Sequence, residues 1–196
     1  QEAEQIAEIA REVSQAVLFA KFRDLAELLT NTDALTGTWH FGRYFLPRLE
    51  EAFLSDSVVS VILTDVDNFK PYNDTFGHPF GSRLIVEFSR FIQRNLRNKD
   101  DALLSRMGGD EFAILLREPV AVAERVAERL RRRFAKHRFP GERERGLKGL
   151  TISLGVADSS QARSPEAVIE MADEALYRAK AEGRNRVCVP PAQQPA

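Results

Sequence analysis

Apolar residues recur along the first thirty positions at steps of three and four: Ile6, Ile9, Val13, Ala16 and Ala20 make one stripe, and Leu18, Phe22, Leu25 and Leu29 continue the rhythm on a shifted register. This spacing predicts an amphipathic helix. With no glycine or proline before Gly37, the helix can run as one rod. Its stripe either pairs with a twin in a parallel coiled coil or folds back on its own domain, and the register shift keeps the second outcome open. From Asp33 onward helical and strand patterns alternate. A helix is expected over 39–53, then a strand through the β-branched run Val58-Val59-Ser60-Val61-Ile62-Leu63 to Asp65, and a loop around Pro71, Asn73 and Gly77. A helix over 81–96 follows, then a hairpin at Gly108-Gly109, a helix over 121–134, a charged loop over 141–149 and a strand over 150–156. The last helix carries its own punctuation, with Ser164 as N-cap, Pro165 at the first helical position and Gly183 just past the end. A short strand over 186–189 closes the pattern. The prediction is an α+β fold, a two-layer sandwich of mainly antiparallel sheet with helices packed on it, preceded by a long N-terminal helix. Three units result: the helix at 1–32, a globular domain at 33–189, and a disordered Pro/Gln tail at 190–196.

Composition narrows the classes. A chain of 196 residues with 43% hydrophobic content can bury one substantial core. A net charge of −1 gives no electrostatic reason to expect nucleic acid or an anionic membrane as partner. The basic run Arg129, Arg131, Arg132, Arg133 reads as a solvated helix face. The single cysteine, Cys188, reads as a small apolar strand residue, in keeping with a reducing, cytoplasmic setting. No apolar stretch approaches a membrane span and no signal peptide is visible. A start at Gln1 without methionine suggests a piece excised from something longer.

The candidate chemistry lies at two acidic clusters. In Arg106-Met107-Gly108-Gly109-Asp110-Glu111-Phe112, two glycines allow a sharp turn and a close ligand approach, and two carboxylates offer the hard oxygens that Mg²⁺ takes. Alone, these residues also fit a hairpin with a solvated acidic tip. The strand ending at Asp65-Val66-Asp67 adds a second pair, two residues apart and so on one face. Asp67 also fits a local cap of the next segment. Three well-separated histidines make a histidine metal site improbable.

Four blocks, taken in order, carry a resemblance: Asp33-Ala34-Leu35-Thr36-Gly37; Asp65 through Asn68-Phe69-Lys70, Asn73-Asp74, Gly77-His78 and Gly81; Gly108-Gly109-Asp110-Glu111-Phe112; and Lys180 through Gly183-Arg184-Asn185. Together they resemble the GGDEF diguanylate cyclases, over residues 33 to about 189. The resemblance implies a palm-like nucleotidyl cyclase domain that works in pairs. Each domain binds one nucleoside triphosphate, each 3′-hydroxyl attacks the opposite α-phosphate, and pyrophosphate leaves as a cyclic dinucleotide closes. It further implies metal ligation (Mg²⁺ or Mn²⁺) by Asp65, the Val66 carbonyl, Asp110 and Glu111, with Asp65, Asp110 and Glu111 as the catalytic carboxylates. Glu111 is either a further ligand or the group that helps deprotonate the 3′-hydroxyl. Asn68, Phe69 and Lys70 would cradle phosphates, Lys180 and Arg184, four apart on one helical face, would neutralise them, and Asn73 would read the base.

The departures from that pattern sharpen the reading. The family usually has Asp after Gly81, and this chain has Ser82. A carboxylate accepts from both N1–H and the 2-amino group of guanine, and one hydroxyl cannot reproduce that charged pair. The chain thus resembles the Ser-variant subgroup that makes cyclic GMP-AMP, with GTP and ATP as substrates and cyclic di-GMP as a further product; an ordinary diguanylate cyclase is the alternative, and water filling the gap would leave Ser82 neutral. The family's product-inhibition Arg and Asp fall on Lys99 and Ala102, while Arg97 and Asp100 have the spacing out of register. The usual Asn-Arg after the Leu-Thr-Gly block stands as His40-Phe41. Partners implied are the nucleotides and a second copy, joined through the N-terminal helix and facing active sites, with no nucleic acid and no membrane contact. A degenerate GTP-binding allosteric module without turnover and a purely structural dimerisation domain are the competing classes.

Overall fold

The computed structural model describes residues 2–55, 57–96, 102–138 and 149–191. A 30-residue helix, α1 (Glu2–Asn31), leads. There follow β1 (Trp39–His40), a π-helical turn (Phe41–Phe45) running into α2 (Leu46–Phe53), β2 (Ser60–Val66), α3 (Phe69–Phe76), α4 (His78–Asn95), β3 (Ala102–Gly108) and β4 (Glu111–Leu116). The chain continues through α5 (Val120–Phe134), β5 (Ile152–Asp158), α6 (Pro165–Ala181) and β6 (Val187–Cys188). The sheet order is β1-β3-β4-β2-β5-β6. Neighbours are antiparallel except at the two edges, where β1 runs parallel to β3 and β6 to β5.

The central strand explains the layering. Ile62 and Val66 of β2 face one core with Phe88, Phe112, Leu130 and Leu154, under α4 and α5. Val61 and Leu63 face the other with Phe45, Leu49, Ala113 and Leu176, under α2 and α6. An apolar run on both parities is what a strand covered on both sides requires. The α+β sheet and leading helix are as expected, and the helices cover both faces, making three layers where two were expected. Each fully buried Phe in these cores contributes roughly 1.5–3 kcal/mol relative to leaving it in water.

One packing contact sets the position of α6. A Cβ on Gly155 of β5 would lie 2.0 Å from the Ala172 carbonyl oxygen and 2.2 Å from the Leu176 nitrogen. The helix backbone therefore rests directly on the strand, helped by the small buried residues Ala172, Ala175 and Ala179. This brings the last turn of α6 to the end of β2.

Several boundaries differ from the sequence reading. The helix expected over 39–53 covers 41–53, opening with the π-helical turn, because Trp39 and His40 pair instead with Ser105 and Arg106 of the distant β3. Pro71, Asn73 and Gly77 were read as a loop, but Phe69–Phe76 is helical: Pro71 falls in the first turn, where its missing N–H would be unpaired anyway. The helix after it starts at His78 rather than Gly81, and β5 and β6 span 152–158 and 187–188. The caps of α6 are as read: the Ser164 side chain accepts from the Ala167 N–H. On α1, Ile9, Val13, Val17, Leu18, Phe19, Phe22, Leu25, Leu28 and Leu29 are 47–74% exposed, so this helix does not fold back on its own domain. No helix among the described residues is long and apolar enough to cross a membrane. The basic run on α5 is paired within the fold: Arg131 and Arg132 both bond Glu128, which these contacts hold at a pKa of about 2, and Arg133 bonds Asn95. The positions 97, 99 and 100, the charged loop up to 148 and the tail from 192 lie outside the described residues.

Candidate active site

Parity along β2 carries past Val61 and Leu63 to put Asp65 and Asp67 on the α6 side of the sheet. Their environments differ. Asp67 is buried and accepts from Thr151 Oγ1 (2.6 Å), Ser153 Oγ (2.6 Å) and the Asn185 N–H (3.0 Å). These partners are distant in sequence rather than a local cap, and they use Asp67 as a bracket joining β2, β5 and the segment after α6. Asp65 instead accepts from Lys180 Nζ at 2.7 Å. Burial pushes its pKa upward, with Lys180 opposing.

Asp110 stands at the β3–β4 turn, beside Gly109 (φ +51). Burial, then the charge of Asp65, push its carboxyl up to about 6. The turn is pinned by Arg106, whose Nε and Nη2 donate to the Gly109 carbonyl (3.0 and 2.8 Å) and whose Nη1 donates to both carboxylate oxygens of Asp33 (3.1 Å each). Asp33 also accepts from the Thr36 N–H (2.9 Å) and Oγ1 (2.7 Å). Burial opposes ionisation there, but the Thr36 and Arg106 bonds together hold the carboxyl below its usual range. A strut therefore runs from the loop after α1 to the β3–β4 turn. Neither Arg106 nor Asp33 was among the expected site residues: Asp33 opens the first block and Arg106 precedes the two glycines, but nothing local pairs residues 73 apart.

The residues expected to meet phosphates converge on the same place. Asn68, in the left-handed region (φ +61), turns the chain from β2 into α3. Asn68, Phe69 and Lys70 line a cleft of about 330 Å³ together with Asp65, Val66, Asp110, Lys180 and Arg184. Lys180 and Arg184 share this cleft but not one helical face: α6 ends at Ala181, and Arg184 follows Gly183 with φ +63, outside the helix. Its neighbour Asn185 is fixed by Asp67 and by Arg131, whose Nη1 donates to Asn185 Oδ1 at 2.9 Å.

The residues expected to read the base lie to one side. Asn73 Nδ2 is 3.0 Å from His78 Nδ1, and its Oδ1 sits where a Cβ on Gly81 would be, 2.2 Å away, so only glycine leaves room for it. Ser82 lines a second cavity of about 370 Å³ with Leu35, Tyr72 and Phe80. Glu111 is exposed as the first residue of β4, pairs with Gly108, and does not line the cleft. Among the described residues no three acidic, histidine or cysteine side chains close on a common point as metal ligands. The carboxylates of Asp65 and Asp110 line one cleft with Val66, whose carbonyl would complete a donor set of oxygens. That fits Mg²⁺ or Mn²⁺, hard ions held by few protein oxygens, with water and phosphate completing the shell.

A sheet of this order, with two carboxylates at adjacent strand ends facing a lysine and an arginine, defines a palm-like nucleotidyl cyclase domain. The chain belongs to the GGDEF family: the family model described as "Diguanylate cyclase, GGDEF domain" matches residues 30–186. It is 40% identical over 165 residues to the response regulator PleD of Caulobacter vibrioides, covering 81% of this chain and 36% of PleD. To the diguanylate cyclase DosC of Escherichia coli it is 35% identical over 188 residues, covering 92% of this chain and 40% of DosC. The chain thus spans well under half the length of both. Among solved structures, the coiled coil and GGDEF domain of DgcB from Caulobacter crescentus, in complex with c-di-GMP, superposes with a TM-score of 0.79 at 27% identity, covering 96% of this chain and 99% of that one.

Proposed function

We propose that the chain condenses two GTP molecules into cyclic di-GMP with release of pyrophosphate, acting as a pair of facing domains. The observation that carries this is the cleft itself, with Asp65 and Asp110 facing Lys180 and Arg184 beside a cavity open to a base. The names of the relatives, diguanylate cyclases among them, favour this product. Asn68, Phe69 and Lys70, at the N-terminus of α3, present backbone N–H groups and a positive helix end to phosphate oxygens. Lys180 and Arg184 offset the charge of the leaving pyrophosphate. Asp65, Asp110 and the Val66 carbonyl would hold the divalent cation, which when bound supplies charge stabilisation at the attacking and leaving oxygens. Glu111, exposed beside Asp110, takes the proton of the 3′-hydroxyl as its oxygen bonds to the α-phosphorus of the opposite nucleotide and the bond to pyrophosphate breaks. The exposed apolar face of α1 brings the second copy. In this reading the catalytic unit is 33–189, with 1–32 as the dimerising helix.

Ser82 favours a second product. It lies in the cavity wall in place of a carboxylate, and adenine offers an acceptor at N1 that a hydroxyl can satisfy. Cyclic GMP-AMP would then accompany cyclic di-GMP. Incubation with Mg²⁺ and GTP, ATP or an equal mixture, with mass spectrometry of the products, tests both. Cyclic di-GMP alone supports the first reading, a mixed dinucleotide from the equal mixture supports the second, and no product from a dimeric sample refutes both.

A further inference from the structure

Beside Ser82, the cavity along α4 has three charged neighbours, Arg83, Glu87 and Arg90. Arg90 is already engaged, its Nη1 donating to Glu87 at 2.9 Å. Arg83 is held in a different way. Its guanidinium carbon lies 5.2 Å from the centre of the Phe80 ring, and its Nε donates a long bond of 3.4 Å to the Pro79 carbonyl. Neither contact uses the two terminal nitrogens. A planar fork stacked on an aromatic wall, one residue along the helix from Ser82, is therefore preset at the mouth of an apolar cavity.

The chemistry of the fork selects among bases. Guanine presents two adjacent acceptors, O6 and N7, which an arginine engages with two parallel bonds; adenine places a donor, its 6-amino group, where O6 would be. We infer that Arg83 is a specificity-determining residue that reads O6 and N7 of a bound guanine, supplying from one edge of the base the discrimination that Ser82 cannot supply from the other. This rests on the reading of the cavity as the base site. It would give a chain with Ser82 a preference for GTP. An arginine acting only as a charge would instead attract every triphosphate alike.

The test measures affinity for the α,β-methylene analogues of GTP and ATP, which cannot release pyrophosphate, by calorimetry with Mg²⁺. Arg83→Ala is expected to weaken the GTP analogue about tenfold to a hundredfold and to leave the ATP analogue unchanged. Arg83→Lys keeps the charge but not the fork, and should lose the same discrimination. Equal weakening of both analogues by Arg83→Ala, restored by Arg83→Lys, would overturn the inference in favour of simple charge, and so would unchanged GTP-analogue affinity. Leu35→Trp, at a 40% exposed position on the same wall, should block the cavity. If it leaves GTP-analogue affinity intact, the base docks elsewhere, and the underlying site reading falls together with the inference.

Discussion

The cleft at the end of β2 and the cavity along α4 are neighbours joined by α3, yet they are held in place by different means. Around the cleft the groups are fixed by contacts between distant segments: Asp65 by Lys180, the neighbouring Asp67 by three donors, the turn before Asp110 by Arg106. Along α4 the charged groups stand on long side chains at the surface, with Arg90 55% and Glu87 32% exposed. In the proposed reading the phosphates, common to all nucleotides, meet a site built rigidly into strand ends, while the base meets a helix surface where one substitution alters no core contact. On that reading specificity would be free to change without loss of the chemical step. Each prediction below either separates the two regions or joins them.

The largest effect is expected in the cleft. Asp110→Asn should lower pyrophosphate release by about a hundredfold to a thousandfold or more, the scale for losing one preorganised electrostatic group. The loss should be the same in any nucleotide mixture the wild type turns over. A loss confined to one base would show that the cleft also selects bases, and the separation would fail.

Lys180 gives the next test. Its ammonium bonds Asp65 and also lines the cleft proposed to take the phosphates. Lys180→Met should therefore weaken triphosphate binding while strengthening Mn²⁺ binding to the protein alone, by about tenfold for one charge-assisted bond in a partly exposed site. Paramagnetic titration of Mn²⁺ without nucleotide reads this directly, and weaker metal binding in the variant would refute the competition.

These tests start from residues that were legible in the sequence, and the reason is geometric. Asp65, Asp110, Lys180 and Arg184 sit at the ends of elements whose apolar runs, glycines and caps mark where each element stops. What could not be read depends on contacts between distant segments. β1 exists because Trp39 and His40 meet β3, the Arg106 strut needs Asp33, and α3 is helical through turn-like residues because Tyr72 is buried against Phe76 and Phe80. The third layer was present in the uninterrupted apolar run of β2, which signals burial on both faces. Arg83 looked like an ordinary surface arginine until Phe80 and the cavity were placed beside it.

On the cavity side, Ser82→Asp should raise the preference for GTP over ATP by about tenfold, the low end for one restored bidentate contact. Metal binding without nucleotide should not change. Competition between the two α,β-methylene analogues measures the preference, and an altered Mn²⁺ affinity would join the two regions after all.

The smallest effect is on stability, and its sign is opposite to the effect on turnover. The pKa of Asp110 is about 6 in the fold against an ordinary 3.8, so the folded state holds this proton more tightly than the unfolded chain does. The resulting stabilisation is fully present below the ordinary value and is lost as pH rises through about 6. At neutral pH without metal, the ionised carboxylate is therefore a destabilising group, crowded by burial and by Asp65, and Asp110→Asn removes that charge. The variant should melt a few degrees higher than the wild type at pH 7.5 in the presence of a chelator, a shift on the scale of about 1 kcal/mol. The difference should shrink as the pH is lowered below 6 and close near pH 4, where the wild-type carboxyl is protonated. Mg²⁺ should narrow it from the other side, because a cation that binds only the folded wild type stabilises it by mass action. Equal melting temperatures across this range would mean that Lys180 alone offsets the charge of both carboxylates, and that the cleft is not poised for a cation.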